Sequence, residues 1–194
     1  MESAKILVFG ASMRAESYNR RLAAIAAGMI SDAGANAQLA AFEDFSVPPY
    51  DGDVESRSGM PPGAHALKHR LEACDAFVIA SPEYNASIPG TLKNLVDWTS
   101  RFRPQPFAEH NALLMSASPS RYGGNRGLWA LRVPLEVLGV RVFPEMFSLA
   151  GANEAFDEHG IADGTLSTRL EGQIRDFLAL VTSARSAATT DGTL

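Results

Sequence analysis

The chain has 194 residues, 46% of them apolar and 20% charged, with 16 glycines and 11 prolines; this is the profile of one packed globular domain, not of a disordered, collagenous or low-complexity chain. A net charge of −5, with 17 basic residues scattered along the sequence, provides no electrostatic footprint for a nucleic-acid backbone. The longest unbroken apolar stretch, Leu22 to Ile30, is nine residues even with Gly28 counted, against about 20 for a bilayer-spanning helix, so no membrane partner is expected. Taken in order, Lys5-Ile-Leu-Val-Phe9 is a β-rich apolar run closed by Gly10, and it reads as a strand buried on both faces. From Ser17 the spacing becomes helical, with Leu22, Ile25, Ala26, Met29 and Ile30 on one stripe, until Gly34 stops it. A weaker strand is expected over Ala37 to Ala41, then an irregular segment from Asp44 to Gly63. Pro61-Pro62 opens a helix through Ala66, Leu67, Leu71 and Ala73, followed by a strand at Ala76 to Ala80. Pro89 begins a further helix, Ala112 to Met115 is a strand, and Gly123-Gly124 precedes a helix carrying Leu128, Leu131, Leu135 and Leu138. Val140 to Phe143 is a last strand and Leu166 to Ala184 a last helix. Residues 1–185 are thus expected to form one domain and 186–194 a frayed tail. Strands alternating with helices imply right-handed βαβ units, a parallel sheet, and helices on both faces.

In such a sheet ligands bind outside the carboxyl ends of the strands, so the loops after Phe9, Ala80 and Met115 carry the functional information. In the first, Ser12, Ser17 and Asn19 supply short hydrogen-bonding side chains, Arg14 a fork for phosphate oxygens, and the following helix its unpaired N–H groups. These suit a phosphate cradle. The alternative is that Ser17 or Asn19 only caps the helix while Arg14 is solvated. Neither the nucleoside-triphosphate nor the dinucleotide glycine motif is present. The second loop, Ser81-Pro-Glu-Tyr-Asn-Ala-Ser-Ile-Pro-Gly90, is stiffened by two prolines, so its backbone can be held ready for the edge of a planar ligand, with Tyr84 beside the plane; a rigid turn is the plainer reading. The third, Ser116-Ala-Ser-Pro-Ser-Arg-Tyr-Gly-Gly124, again sets small hydroxyl residues and glycines at a strand end.

The segments Ser12-x-Arg14-x-x-Ser17-x-Asn19, Pro82-Glu-Tyr-Asn85 through Pro89-Gly90 and Leu92-Lys-Asn94 to Asp97-Trp98, and Ser116-x-Ser118 with Gly123-Gly124 resemble the NAD(P)H-dependent FMN reductase family, from Ile6 to about Leu138. The resemblance implies a flavodoxin-like α/β fold whose five-stranded parallel sheet has the order 2-1-3-4-5. It implies FMN held at its phosphate by Ser12, Arg14, Ser17, Tyr18 and Asn19. Pro82, Glu83, Tyr84 and Asn85 would run along the isoalloxazine, and Ser116, with Ser118 nearby, would lie near its pyrimidine end. The activity implied is two-electron transfer from NADPH or NADH through FMN to a quinone, free flavin, azo compound or chromate, the flavin and no catalytic side chain carrying the chemistry. A flavodoxin-type electron carrier is the alternative. Ala11 departs from the family, which commonly has Gly there; if that position needs φ > 0, the loop must differ.

Other features rank lower. His65 and His69 are spaced i, i+4 but have no evident third ligand, so no metal is expected. The lone Cys74 reads as a small hydrophobe, and with an N-terminus that lacks a signal sequence it points to the cytosol. A homodimer or homotetramer is expected from the resemblance, with Glu83 and Arg101 near the contacts. The helix after Pro89 carries an Asp97–Arg101 pair at i, i+4.

Overall fold

The computed structural model describes residues 3–191, with side chains to residue 187. The first apolar run forms β1 (Lys5–Gly10) and pairs in parallel with β2 (Asn36–Ala40) on one side and β3 (Ala76–Ala80) on the other. β3 pairs with β4 (Asn111–Ala117), and β4 with β5 (Arg141–Val142), which gives the order β2-β1-β3-β4-β5. The central strands β3 and β4 are buried throughout, which is why their sequences are continuous apolar runs and do not alternate.

Successive residues of each strand face opposite layers. Ile6 and Val8 join a core with α1 (Tyr18–Asp32) and α6 (Gly164–Asp191). Leu7 and Phe9 join a second core with α3 (Pro62–Glu72), α4 (Gly90–Thr99) and α5 (Asn125–Val137). Each fully buried Leu, Ile or Phe contributes about 1.5–3 kcal/mol through removal from water. Among the described residues no helix is long and apolar enough to cross a membrane.

Three stretches differ from the sequence expectation. The expected irregular segment begins in a 3₁₀ turn at Phe42–Phe45, whose two phenylalanines are buried on Phe9 at centroid distances of 6.1 and 5.6 Å, and it contains α2 (Gly52–Ser58). No residue of α2 is buried, so it has no apolar period to read. The expected fifth strand is split: β5 pairs with the start of β4, and β6 (Phe147–Leu149) with its end. Pro144 stands between them and has no N–H to give a ladder. The last helix begins earlier than Leu166 because the Asp163 carboxylate accepts from the amides of Thr165 and Leu166 at 2.8 and 3.1 Å. It continues through 186–191, residues assigned above to the tail; 192–194 lie outside the described residues. A small hairpin, β7 (Phe156–Asp157) with β8 (Gly160–Ile161), precedes it.

The expected Asp97–Arg101 pair does not form. Asp97 takes Lys93 at 2.7 Å, and Arg101 reaches across to Glu55 of α2 at 3.0 Å. The segment before α2 is tied to α4 through the Pro48 carbonyl, which accepts from Asn94 at 2.8 Å and from the fully buried Trp98 at 2.7 Å.

Candidate functional site

The loops after β1, β3 and β4 converge at the carboxyl ends of those strands around an open cleft of about 450 Å³, counting the space at its mouth. The approach depends on Gly10: a Cβ there would stand 2.6 Å from the Arg20 Cα, so only glycine lets the first turn of α1 cross the end of β1.

In the first loop, Ser12 is buried and turns the chain back, its amide donating to the Gly10 carbonyl at 2.8 Å and its Oγ accepting from the Arg14 amide at 3.3 Å. Ser17 is the N-cap of α1, accepting from the Arg20 amide at 3.4 Å. The other amides of that first turn have no acceptor within the helix, and the turn contains no acidic residue. Arg14 is exposed beside them, and its guanidinium has no hydrogen-bond or ion-pair partner among the described residues. The result is a concentration of positive potential at one end of the cleft. Tyr18 lines the cleft and stacks on Phe156 of β7 at 6.2 Å. Ala11 is free of strain: among the described residues the non-glycine positions with left-handed φ are Asn85, Ala86 and Glu109.

Asn19 lines the cleft and also has a structural task. It is buried, and its amide group donates to the Ala117 carbonyl and accepts from the Ala117 amide, both at 2.9 Å. It therefore imitates a strand partner, fixing α1 to the end of β4.

In the second loop, Tyr84 and Ser87 exchange backbone hydrogen bonds at 3.1 and 3.0 Å, and between them Asn85 (φ 52) and Ala86 (φ 60) are both left-handed. This is a type I′ turn; Asn suits its first central position, whereas Ala at the second is strained. Pro82, Glu83 and half-exposed Tyr84 line the cleft, and exposed Asn85 stands at the tip of the turn. The Glu83 side chain is only 6% exposed. Its carboxylate accepts from the Gly127 amide at 2.9 Å and from Arg126 at 2.6 and 3.0 Å, capping α5 from 44 residues away. Burial pushes its pKa up, but the Gly127 N–H and the Arg126 guanidinium pull harder, and the carboxyl is held below its ordinary value.

In the third loop, Ser118 and Pro119 line the cleft, with Ala117 beside them. Ser116 does not. It is fully buried beneath the start of α5, and its Oγ has no hydrogen-bond partner. A Cβ on Gly124 would fall 1.9 Å from that Oγ, and Gly124 has φ +84, so this glycine is needed both for space and for conformation. Sequence reasoning missed Ala117, Pro119 and the Arg126–Gly127 anchor of Glu83. The glycine pair and the adjacent arginine were visible, but no local pattern says which distant carboxylate answers them.

Away from the cleft, His65 packs on Phe102 at 5.0 Å, and the described residues contain no group of three or more His, Cys, Asp or Glu able to hold a metal. Cys74 is buried and its thiol is pushed up to about 12 by desolvation, which leaves it unreactive at neutral pH.

Residues 4–154 match a family model described as NADPH-dependent FMN reductase. An NAD(P)H-dependent FMN reductase of Pseudomonas aeruginosa is 37% identical over 159 residues, covering 80% of this chain and 83% of that protein. A quinone reductase of Escherichia coli strain K12 is 38% identical over 135 residues, covering 68% and 71%. In fold, the chain is similar to the solved flavoenzyme NAD(P)H:(acceptor) oxidoreductase FerB of Paracoccus denitrificans, with a TM-score of 0.78 at 23% identity over 93% of this chain and 98% of that one.

Proposed function

The chain belongs to the NADPH-dependent FMN reductase family, and from that premise we infer that it takes two electrons from NADPH or NADH and passes them through bound FMN to a small-molecule acceptor, a quinone above all. The relatives named as FMN and quinone reductases favour this over an electron carrier.

The observation that carries the site assignment is the unpartnered guanidinium of Arg14 beside the free amides of the first turn of α1, in a cleft where three strand-end loops meet. A phosphate monoester fits that end: Arg14 supplies a fork, Ser12 and Ser17 supply hydroxyls, and the helix terminus supplies N–H donors. Bound there, FMN would supply the redox chemistry.

The residues of the chain have the tasks of binding and orientation. Tyr18 walls the phosphate end. Pro82, Glu83 and Tyr84 present a rigid edge to the flavin ring, with Asn85 setting the turn that aims it. Ser118 borders the opposite edge. Asn19 borders the phosphate end while joining α1 to β4, and Ser116 acts one layer back as a positioning residue by seating Gly124. Glu83 is ionised at neutral pH and spent on Arg126 and Gly127, so it moves no proton.

Residues 1–185 serve as one FMN-binding domain, and the lone Cys74 suits the reducing cytosol. Self-association is part of the proposal. Trp129, Val133 and Val137 lie at i, i+4 and i+8 along α5 and are 56%, 63% and 81% exposed, an apolar stripe of the kind that copies of a chain cover; light scattering at micromolar concentration tests it. The central test is to titrate the protein with FMN and follow NADPH oxidation with a quinone as acceptor. Saturable FMN uptake with quinone-dependent turnover is expected, and protein that fails to take up FMN refutes the reading.

A further inference from the structure

One wall of the cleft continues into a charge arrangement that FMN binding does not use. In the loop between β4 and α5, Tyr122 is 46% exposed, and two guanidiniums rest on its ring, Arg121 at 4.9 Å and Arg126 at 4.5 Å from the centroid. Arg121 also donates to the Tyr122 hydroxyl at 2.7 Å. A single carboxylate answers the two charges. Glu83 is taken by Arg126, and Arg121 has no acidic partner among the described residues.

Two like charges gathered on one ring with one counter-charge leave a net positive spot. The loop that holds it is ordered by its own hydroxyls: Ser118 Oγ accepts from the Ser120 amide at 3.2 Å, and Ser120 Oγ from the Tyr122 amide at 3.3 Å. Ser118 and Pro119, at the start of this loop, line the cleft, so the array begins where the cleft ends. Arg14 stands on the other loop, so the site has two separate cationic points, one of which the FMN phosphate occupies in the reading above.

We propose that Arg121, held against Tyr122 beside Arg126, receives the 2′-phosphate of NADPH and makes the site prefer NADPH to NADH. The proposal rests on the assignment of the chain as an FMN-dependent oxidoreductase. A nicotinamide that reaches the flavin lies in the cleft, and the rest of the dinucleotide must leave across the rim. The two dinucleotides differ by one phosphate monoester on the adenosine ribose. A guanidinium fork matches such a dianion in shape and charge. Arg121 has its charge free for this, whereas Arg126 is half committed to Glu83. Stacking on Tyr122 restricts the Arg121 side chain before the ligand arrives, which lowers the ordering cost of binding.

The test is calorimetric titration of the FMN-loaded protein with adenosine 2′,5′-bisphosphate and with adenosine 5′-phosphate, probes that differ only in the 2′-phosphate. The wild type should prefer the bisphosphate by about fivefold to tenfold, the range for a partly exposed charge-assisted contact. Arg121→Gln should abolish that preference, Arg121→Lys should keep part of it, and the ratio of kcat/KM for NADPH to that for NADH should fall by the same factor in Arg121→Gln. Equal binding of the two probes by the wild type, or an unchanged preference in Arg121→Gln, overturns the proposal while leaving the FMN assignment standing. FMN uptake is read separately by absorbance in the same samples, and a chain that takes up none brings down both.

Discussion

Replacing Glu83 by alanine removes a side chain that joins the second loop to the start of α5. Three hydrogen bonds to its carboxylate are lost, one from the Gly127 amide and two from Arg126. The Gly127 contact is equivalent to a helix cap, worth about 1 kcal/mol. The Arg126 contacts are charge-assisted, but that arginine is 51% exposed, so solvent screening reduces them to about 1 kcal/mol together. Glu83→Ala should therefore destabilise the protein by about 2 kcal/mol, or lower Tm by about 4–8 °C for a chain of this size. Glu83→Gln keeps an acceptor for Gly127 and should cost about 1 kcal/mol. The charge also fixes the pH dependence. Because the folded pKa lies below the ordinary value of 4.5, the ionised carboxylate contributes its full stabilisation above that pH, and the contribution is lost as pH falls through the lower folded value. Urea unfolding of wild type and Glu83→Ala from pH 7 down to pH 3 should show a gap that is constant to about pH 4.5 and then narrows. A Glu83→Ala protein within 0.5 kcal/mol of wild type, roughly the scatter of surface substitutions, would refute the cap.

Arg14→Ala should weaken FMN binding by roughly 10- to 150-fold, the worth of a charge-assisted hydrogen bond of about 1.5–3 kcal/mol; unchanged affinity in a fluorescence titration would assign the phosphate to the terminus of α1 alone. Gly124→Ala should cost roughly 3 kcal/mol or more in urea unfolding, since its Cβ would overlap Ser116 and its φ is left-handed. Adding Ser116→Gly should recover part of that loss, and a Gly124→Ala protein as stable as wild type would show that the close contact is absent. Ala86→Gly relieves a left-handed alanine (φ 60) and should raise stability by about 0.5–1 kcal/mol in a thermal melt; a lower Tm would contradict the type I′ turn.

The elements that build the sheet were legible in the sequence because their signals are local. β1, β3 and β4 are apolar runs too short for helices and bounded by turn residues, α1 has its Ser17 cap and its stripe, and alternation alone then dictates a parallel sheet with ligands at its carboxyl edge. The resemblance carried by Pro82 to Asn85 and the Ser12 to Asn19 loop named the family. Elements without a period of their own were not legible: α2 buries nothing, and the split of the fifth strand turns on one proline. The tasks of the polar residues were legible least of all. Asn19 and Ser17 look equally suited to a phosphate, and nothing in their spacing says that Asn19 also ties α1 to Ala117, 98 residues away. Glu83 borders the cleft and is at the same time a helix cap, and Ser116 lies buried under a glycine. A hydrogen-bonding side chain has no partner until the chain has folded, and the partner is chosen by which backbone groups the packed layers leave unsatisfied beside it. Sequence spacing can therefore place such a residue at the edge of the site, but only the tertiary structure decides whether it faces the ligand or the protein.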